Sequence, residues 1–411
     1  MSRPGRGPGS ADPVAPAGPA NQGRSAGGRL VGLDGIRGLA ALFVVLHHCW
    51  LLSYPGYPAN TGPAWTGFLL YGHLAVVVFI TLSGFSLAVS PARHGWALGG
   101  KARFAQRRAW RILPPYWAAL VFSLVVAWIV VPQPGAGTPN AKSVVVYGLL
   151  LQDVFGAPVP NGAFWSIAIE AQLYLVFPVL LVILRRAGAA AVVAAVTVPA
   201  LAVGLLAPQV SIVDKLMRLT PQFAPLFALG LVAAAVIPAT ERVRRLPWQW
   251  LAGLAAVPVL VLIAVRGSVW TVTHYFWVDL AVGPAVALLL AAVATRRPAP
   301  LVRLLNTRPM RSLGSFSYSL YLIHAPIVVA ISHLVAPHLR PGLPTFFVTL
   351  ALAVPTSVVS ARLFAAVFEI PFQRYRSWAP LRAAVRARLR PAPAPIAEPV
   401  RPEPVPEPAE P

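Results

Sequence analysis

Between residues 33 and 368 the chain passes through ten stretches of about 20 mainly apolar residues, more than the interior of a soluble globule can hide. At about 1.5 Å per helical residue, such a stretch crosses roughly 30 Å of hydrocarbon. Helices do this with every backbone group satisfied internally. The spans run approximately 33–53, 66–90, 112–131, 163–184, 188–207, 221–238, 248–265, 269–294, 313–336 and 343–368. The predicted fold is therefore all-α, a polytopic integral membrane helical bundle of about ten transmembrane helices. Composition agrees: 57% of the 411 residues are hydrophobic and 11% charged, with mean hydropathy +0.68, too little polar surface for an ordinary soluble enzyme. The apolar stretch 142–155 is short and carries Gln152 and Asp153, which makes it a candidate re-entrant or interfacial helix rather than a span.

The flanks read differently. Residues 1–29 are rich in Gly, Pro, Ser, Ala and Arg without an apolar run, as expected of a disordered cytoplasmic arm and not of a signal peptide. The membrane domain occupies 30–378. An Ala/Arg-rich and then Pro/Glu-rich disordered cytoplasmic tail, 379–411, follows, and no second folded domain is expected. The formal net charge of +22 comes from 34 Lys+Arg against 12 Asp+Glu, yet the basic residues sit in short clusters between apolar runs. That placement signals topology, not a nucleic-acid partner. With a cytoplasmic N-terminus, 28 of the 34 fall in inside segments, five outside, and Arg362 within the last span. Both termini are thus expected inside, in a multi-pass protein of the cell membrane. One cysteine, Cys49, excludes an internal disulfide framework and a thiolate metal cluster, and no metal site is expected.

Ionisable groups at bilayer depth cost about 2.5–3.5 kcal/mol on insertion scales, so each is a candidate functional residue. The first span holds Arg37, His47 and His48, the fourth Glu170, the eighth His274 and Asp279, and the ninth His324. Arg37 and His48 are eleven residues apart, about 20° past three full turns, and face the same way some 16 Å apart along the axis. One long ligand could touch both; a snorkelling Arg37 and an interhelical hydrogen bond from His48 fit the spacing too. Glu170 and His48 lie at matching depth, which allows the carboxylate to orient the imidazole. A neutral carboxyl bonded to a backbone carbonyl is the alternative. In the loop from Arg93 to Arg111, Arg108 and Arg111 share a helical face and suit phosphate through bidentate hydrogen bonds, or else serve topology and lipid headgroups. Cys49 beside His48 points about 100° away from it and reads as an inert buried thiol.

Four segments stand together as a set: LDGIRGLAALFVVLHH (33–48), FITLSGF (79–85) followed by RRAWRILPPYW (107–117), FWSIAIEAQLYLVFP (164–178) and SFSYSLYLIHAPI (315–327). In content and order they resemble the membrane-bound acyltransferase 3 family, integral membrane O-acyltransferases of carbohydrates, cell-envelope polymers and macrolides. The resemblance covers roughly residues 30–375. It implies that His48 is the catalytic histidine of an Arg-x10-His element with Arg37, that Arg108 and Arg111 form the Arg-x-x-Arg element on the acyl-CoA side, and that Glu170 is the acidic residue after Trp-Ser. Ser83, Trp165, Tyr318, Tyr321 and His324 become candidate acceptor or pocket residues. The chain departs from many relatives at Ala171, where a second acidic residue is common, and at Val77.

The activity so implied is transfer of an acyl group from cytosolic acyl-CoA to a hydroxyl of a carbohydrate-containing acceptor, a cell-envelope glycan or a glycosylated or macrolide metabolite. His48 would be the general base, with direct transfer and an acyl-histidine intermediate both open. No bound cofactor is implied; acyl-CoA, acetyl-CoA first, is the co-substrate, and the bilayer and the acceptor are the partners. An Ala/Arg/Pro-rich chain suggests an actinobacterial source. The competing class is a transporter or flippase for a lipid-linked saccharide, against which stands the absence of an internal repeat among the spans.

Overall fold

The computed structural model describes residues 30–375 and 377–389; the expected arm 1–29 and the tail beyond 389 lie outside the described residues. Every regular element among those described is helical. The longer ones are α1 (Leu33–Ser53), α2 (His73–Arg93), α3 (Lys101–Ile129), α4 (Ala141–Gly148), α5 (Trp165–Leu206), α6 (Phe223–Ala233), α7 (Trp248–Thr273), α8 (Tyr275–Ala294), α9 (Arg308–Ser315), α10 (Ser317–Val335), α11 (Leu343–Phe364) and α12 (Trp378–Leu389).

Among the described residues eight helices are long and apolar enough to cross a membrane, and a pair bent by 45°, Ser211–Leu219 with Phe223–Val236, makes up to nine. Helix α5 has 42 residues, about 63 Å of helix and twice the hydrocarbon thickness. Gly188 divides it with φ 85° and ψ −179°, a conformation that L side chains resist, so α5 contributes two spans and the total is ten.

Three boundaries differ from the sequence reading. Helix α3 starts at Lys101, so Arg108 and Arg111 sit on its early turns rather than in a loop; Ala, Arg, Lys and Gln all favour helix there. The break expected at 266–268 falls at Gly267, whose φ 75° and ψ 178° are non-helical like those of Gly188, but helix resumes to Thr273, so α8 begins at Tyr275 rather than at 269. Residues Trp378–Leu389 are helical, so the Ala/Arg-rich start of the expected disordered tail is ordered, as the helix propensity of both residues favours. The stretch 142–155 holds the two-turn helix α4, started by a capping box between Asn140 and Ser143. Tyr116 and Trp117 of α3 clamp its end through hydrogen bonds to the carbonyls of Tyr147 and Gly148.

Helices α2 and α10 are central, each with 67% of its apolar window buried, whereas α7 has 11% and faces outward. Packing around α2 depends on two glycines. A methyl group on Gly84 would fall on the carbonyl oxygen of Phe227, and one on Gly230 on that of Thr81, so α2 and α6 cross backbone to backbone. Pro326 leaves the carbonyl of Leu322 without its helical partner, and Asn161 Nδ2 donates to it at 2.8 Å. Asn161 also bonds Ser123 and the backbone of Ala163, which fixes the entry to α5 against α3 and α10.

Candidate functional site

A cavity of about 520 Å³ lies among α1, α2, α3, α5 and α10 and the end of the α11 segment. Arg37, one turn into α1, lines it, held by Asp34 at 3.3 Å and by the hydroxyl of Ser86 at 2.6 Å. Arg108 and Arg111, one turn apart on α3, line the same wall. The Arg108 guanidinium stands 5.8 and 5.9 Å from the ring centroids of Phe104 and Tyr174. Its Nε is buried with no hydrogen-bond partner among the described residues. An unpaired guanidinium donor beside a cavity suits an anion or a water molecule, because leaving it unmatched costs more than an ordinary hydrogen bond gains.

Glu170 also faces the cavity, and its carboxylate accepts from the hydroxyls of Ser83 at 2.7 Å and Tyr174 at 2.5 Å. Tyr174 is one turn beyond Glu170 on α5, so both side chains leave the same face. Tyr318 and Tyr321 complete the list of predicted residues that line the cavity. In its wall the hydroxyls of Tyr321 and Ser166 meet at 2.6 Å and the Tyr321 ring packs edge-on against Phe79 at 5.4 Å.

His48, His324 and Trp165 do not line it. The His324 ring lies 5.7 Å beyond that of Tyr321, and the His48 ring 4.9 Å beyond His324. His324 Nε2 and His48 Nδ1 are 3.1 Å apart. The two histidines form a pair one ring deeper than the cavity wall. The expected partnership of Glu170 with His48 is therefore corrected: Glu170 bonds Ser83 and Tyr174, while His48 bonds Val44 and His324, with the Ser166–Tyr321 pair lying between the cavity and the histidines. Equal depth fixes height along the bundle but not the direction a side chain takes around its helix. Trp165 instead stacks on His73 at 5.6 Å and packs on Phe223.

Glu369 and Asp34 escaped sequence reasoning. Glu369 lines the cavity from a π turn (Ala365–Glu369) and accepts from the backbone N–H and hydroxyl of Ser319 and from Gln373. It lies one position past the last expected span, and π turns often mark functional sites. Asp34, three residues before Arg37, was legible as its ion-pair partner. Asp279, flagged in the eighth span, is fully buried and accepts from His73 Nε2 at 2.9 Å and from Gln222. His47, beside His48, is buried and donates from Nδ1 to the carbonyl of Leu69 at 2.6 Å.

A helical protein with this many apolar helices and an arginine-lined cavity inside the bundle is a multi-pass membrane protein. The family described as an acyltransferase domain matches residues 30–362, and the chain belongs to it, the membrane-bound acyltransferase 3 family. A protein of Bacillus subtilis (strain 168) named as a putative peptidoglycan O-acetyltransferase, YrhL, is 28% identical over 376 residues, covering 84% of this chain and 56% of its own length. Nodulation protein 10 of Rhizobium leguminosarum bv. viciae is 28% identical over 220 residues, covering 48% of this chain and 56% of its own. The chain thus spans little more than half the length of these curated relatives. No solved structure matches.

Proposed function

We propose that this protein is an O-acyltransferase of the cell membrane. It takes an acyl group, acetyl first among the candidates, from cytosolic acyl-CoA and transfers it to a hydroxyl of a carbohydrate-containing acceptor. The observation that carries this reading is the single cavity in which Arg37, Arg108, Arg111 and Glu170 converge and whose far end stops one ring short of His48 and His324. Arg108 and Arg111 receive CoA phosphate, and the pantetheine arm runs past Arg37 along the roughly 16 Å of α1 that separates it from His48, a path along which the Ser166–Tyr321 contact has to part. His48 takes the proton of the acceptor hydroxyl as its oxygen bonds the acyl carbon, the carbon–sulfur bond breaks, and the proton passes to the leaving CoA thiolate. General-base help of this kind is worth about 10²–10⁴ in rate. The relative named as a putative peptidoglycan O-acetyltransferase supports acetyl as the group and a cell-envelope glycan as the acceptor. A macrolide or other glycosylated metabolite is the other acceptor class. The Lys/Arg asymmetry supports both termini inside, with the arginine-lined mouth of the cavity on the cytosolic side.

The test is turnover of acetyl-CoA by the purified full-length chain with and without a glycan acceptor. Acceptor-stimulated release of CoA that is lost in a folded His48→Ala variant is expected. A protein that binds saccharide but never releases CoA refutes the reading in favour of a carrier.

A further inference from the structure

The two histidines behind the Tyr321 wall of the cavity are oriented by the backbone, and that orientation fixes which nitrogen of each carries hydrogen. His324 is fully buried on α10, and its Nδ1 lies 2.8 Å from the carbonyl oxygen of Tyr321 and 3.2 Å from that of Leu320. Carbonyl oxygens only accept, so Nδ1 is the protonated nitrogen of a neutral His324 ring and Nε2 is a lone pair. That lone pair faces His48 Nδ1 at 3.1 Å. His48 Nδ1 also lies 2.9 Å from the carbonyl oxygen of Val44, one turn back on α1. Both neighbours of His48 Nδ1 are acceptors, so it carries the hydrogen and shares it between them. The remaining nitrogen of His48, Nε2, is left unprotonated. His48 is only half-buried, whereas His324 has no exposed surface.

We infer that His324 is a positioning residue, not an acceptor-contacting one, and that it locks His48 in the Nδ1–H tautomer with Nε2 as the basic nitrogen. This rests on the reading of His48 as the base. The chemistry parallels the third member of a nucleophile–histidine–carboxylate triad, which holds the imidazole in the right tautomer and orientation. Here the acceptor is a neutral imidazole. It does the work without placing a carboxylate beside the base in the apolar bundle, where an anion is expensive to bury. Two hydrogen bonds from its own helix hold it in register. When His48 Nε2 takes the acceptor proton, Nδ1–H still donates to His324 Nε2, so the contact survives the step on both sides. Without His324, the Val44 carbonyl alone holds the hydrogen on His48 Nδ1, and exchange to Nε2, the tautomer that cannot accept, becomes easier.

Two substitutions separate positioning from packing in the full-length protein. In His324→Asn the amide stops near where Nδ1 stood and keeps a donor for the Tyr321 carbonyl, but nothing reaches His48. In His324→Gln the amide oxygen extends to the place of Nε2 and can still accept. The expectation is that His324→Asn lowers kcat about 10- to 100-fold with the KM for acetyl-CoA within about twofold of wild type, and that His324→Gln recovers most of the loss. Nitrogen-15 spectra of histidine-labelled protein give a readout independent of turnover, the His48 signals being those absent from His48→Gln. Wild type should show the Nδ1–H pattern and His324→Asn a mixture of tautomers. Equal kcat per folded molecule in the Asn and Gln variants, or a wild-type His48 with hydrogen on Nε2, overturns the inference. Wild-type turnover in His48→Ala would instead refute the general base itself, and the spectra would still decide whether the pair exists.

Discussion

Arg108→Ala removes the one cavity guanidinium whose Nε is buried without a partner among the described residues. Were this side chain merely structural, its donors would be matched by the protein, as those of Arg37 are by Asp34 and Ser86. A hydrogen bond to a charged group contributes about 1.5–3 kcal/mol. At 1.4 kcal/mol per factor of ten, loss of one such bond to phosphate weakens binding about 10- to 150-fold. The ring contacts with Phe104 and Tyr174 add about 0.5–1 kcal/mol each, but these appear in the stability of the free protein and not in CoA binding. The expected outcome is a KM for acetyl-CoA raised about 10- to 150-fold with kcat little changed, and Arg108→Lys falling between, since an ammonium keeps the charge but not the fork. The control substrate is S-acetylpantetheine, which carries the thioester without the nucleotide phosphates. Wild type and Arg108→Ala should use it equally well. A variant that loses acetylpantetheine and acetyl-CoA turnover in the same proportion, or that is altered only in membrane insertion, refutes the phosphate assignment.

Other outcomes follow from the same geometry. His47→Ala forfeits a buried hydrogen bond to Leu69 and should cost about 1–3 kcal/mol in stability while kcat per folded molecule stays within a few fold, as thermal melts beside turnover will report. Glu170→Gln weakens the acceptor that holds Ser83 and Tyr174, and Tyr174 lies under Arg108, so it should raise the KM for acetyl-CoA several-fold more than it lowers kcat; an unchanged KM with collapsed kcat would return Glu170 to the chemical step. Reporter fusions after Asn60 and Asn140 should read as extracytoplasmic and those after Gly100 and Val243 as cytoplasmic, and a cytoplasmic signal at Asn140 would break the assigned topology. Asp153, in the loop before α5, is pushed up to about 7 by burial, against the opposing pull of Gln172 and Arg218. Its folded value lies above the unfolded one, so ionisation disfavours the fold and the penalty grows as pH rises from about 4 to 7. Asp153→Asn should therefore gain melting temperature over wild type at pH 8 relative to pH 5, and a gain that is flat with pH would contradict this.

The spans were legible because lipid imposes a simple requirement of length and hydropathy, and α1 runs over the residues that requirement marks out. Where helix propensity alone decided the matter, outside the apolar windows, boundaries shifted: α3 reaches back to Lys101 and α12 forms from the Ala/Arg stretch. The cavity was legible in its residues but not in its pairings. Arg37, Ser83, Arg108, Arg111, Glu170, Tyr318 and Tyr321 line one space, yet Glu170 and His48 do not meet. Helical periodicity relates side chains on one helix, as with Arg37 and His48. It carries no information on how α5 is rotated against α1, which is set by packing between helices far apart in the sequence. His73 lay inside an expected span, but its importance depends on Asp279, 206 residues away.

The hydrogen bond between Tyr321 and Ser166 has a consequence for the cell as an electrical object. A cavity of about 520 Å³ sunk into a bilayer from one side leaves only a thin barrier on the other. A continuous file of water through it would short-circuit the membrane potential, worth about 2.3 kcal/mol per charge at 100 mV. Two hydroxyls 2.6 Å apart satisfy each other, and the Tyr321 ring packs against Phe79 and the buried His324, packing that opposes such a file. On the proposed topology, such packing lets the arginine-lined cavity open toward one compartment while the membrane around it stays insulating.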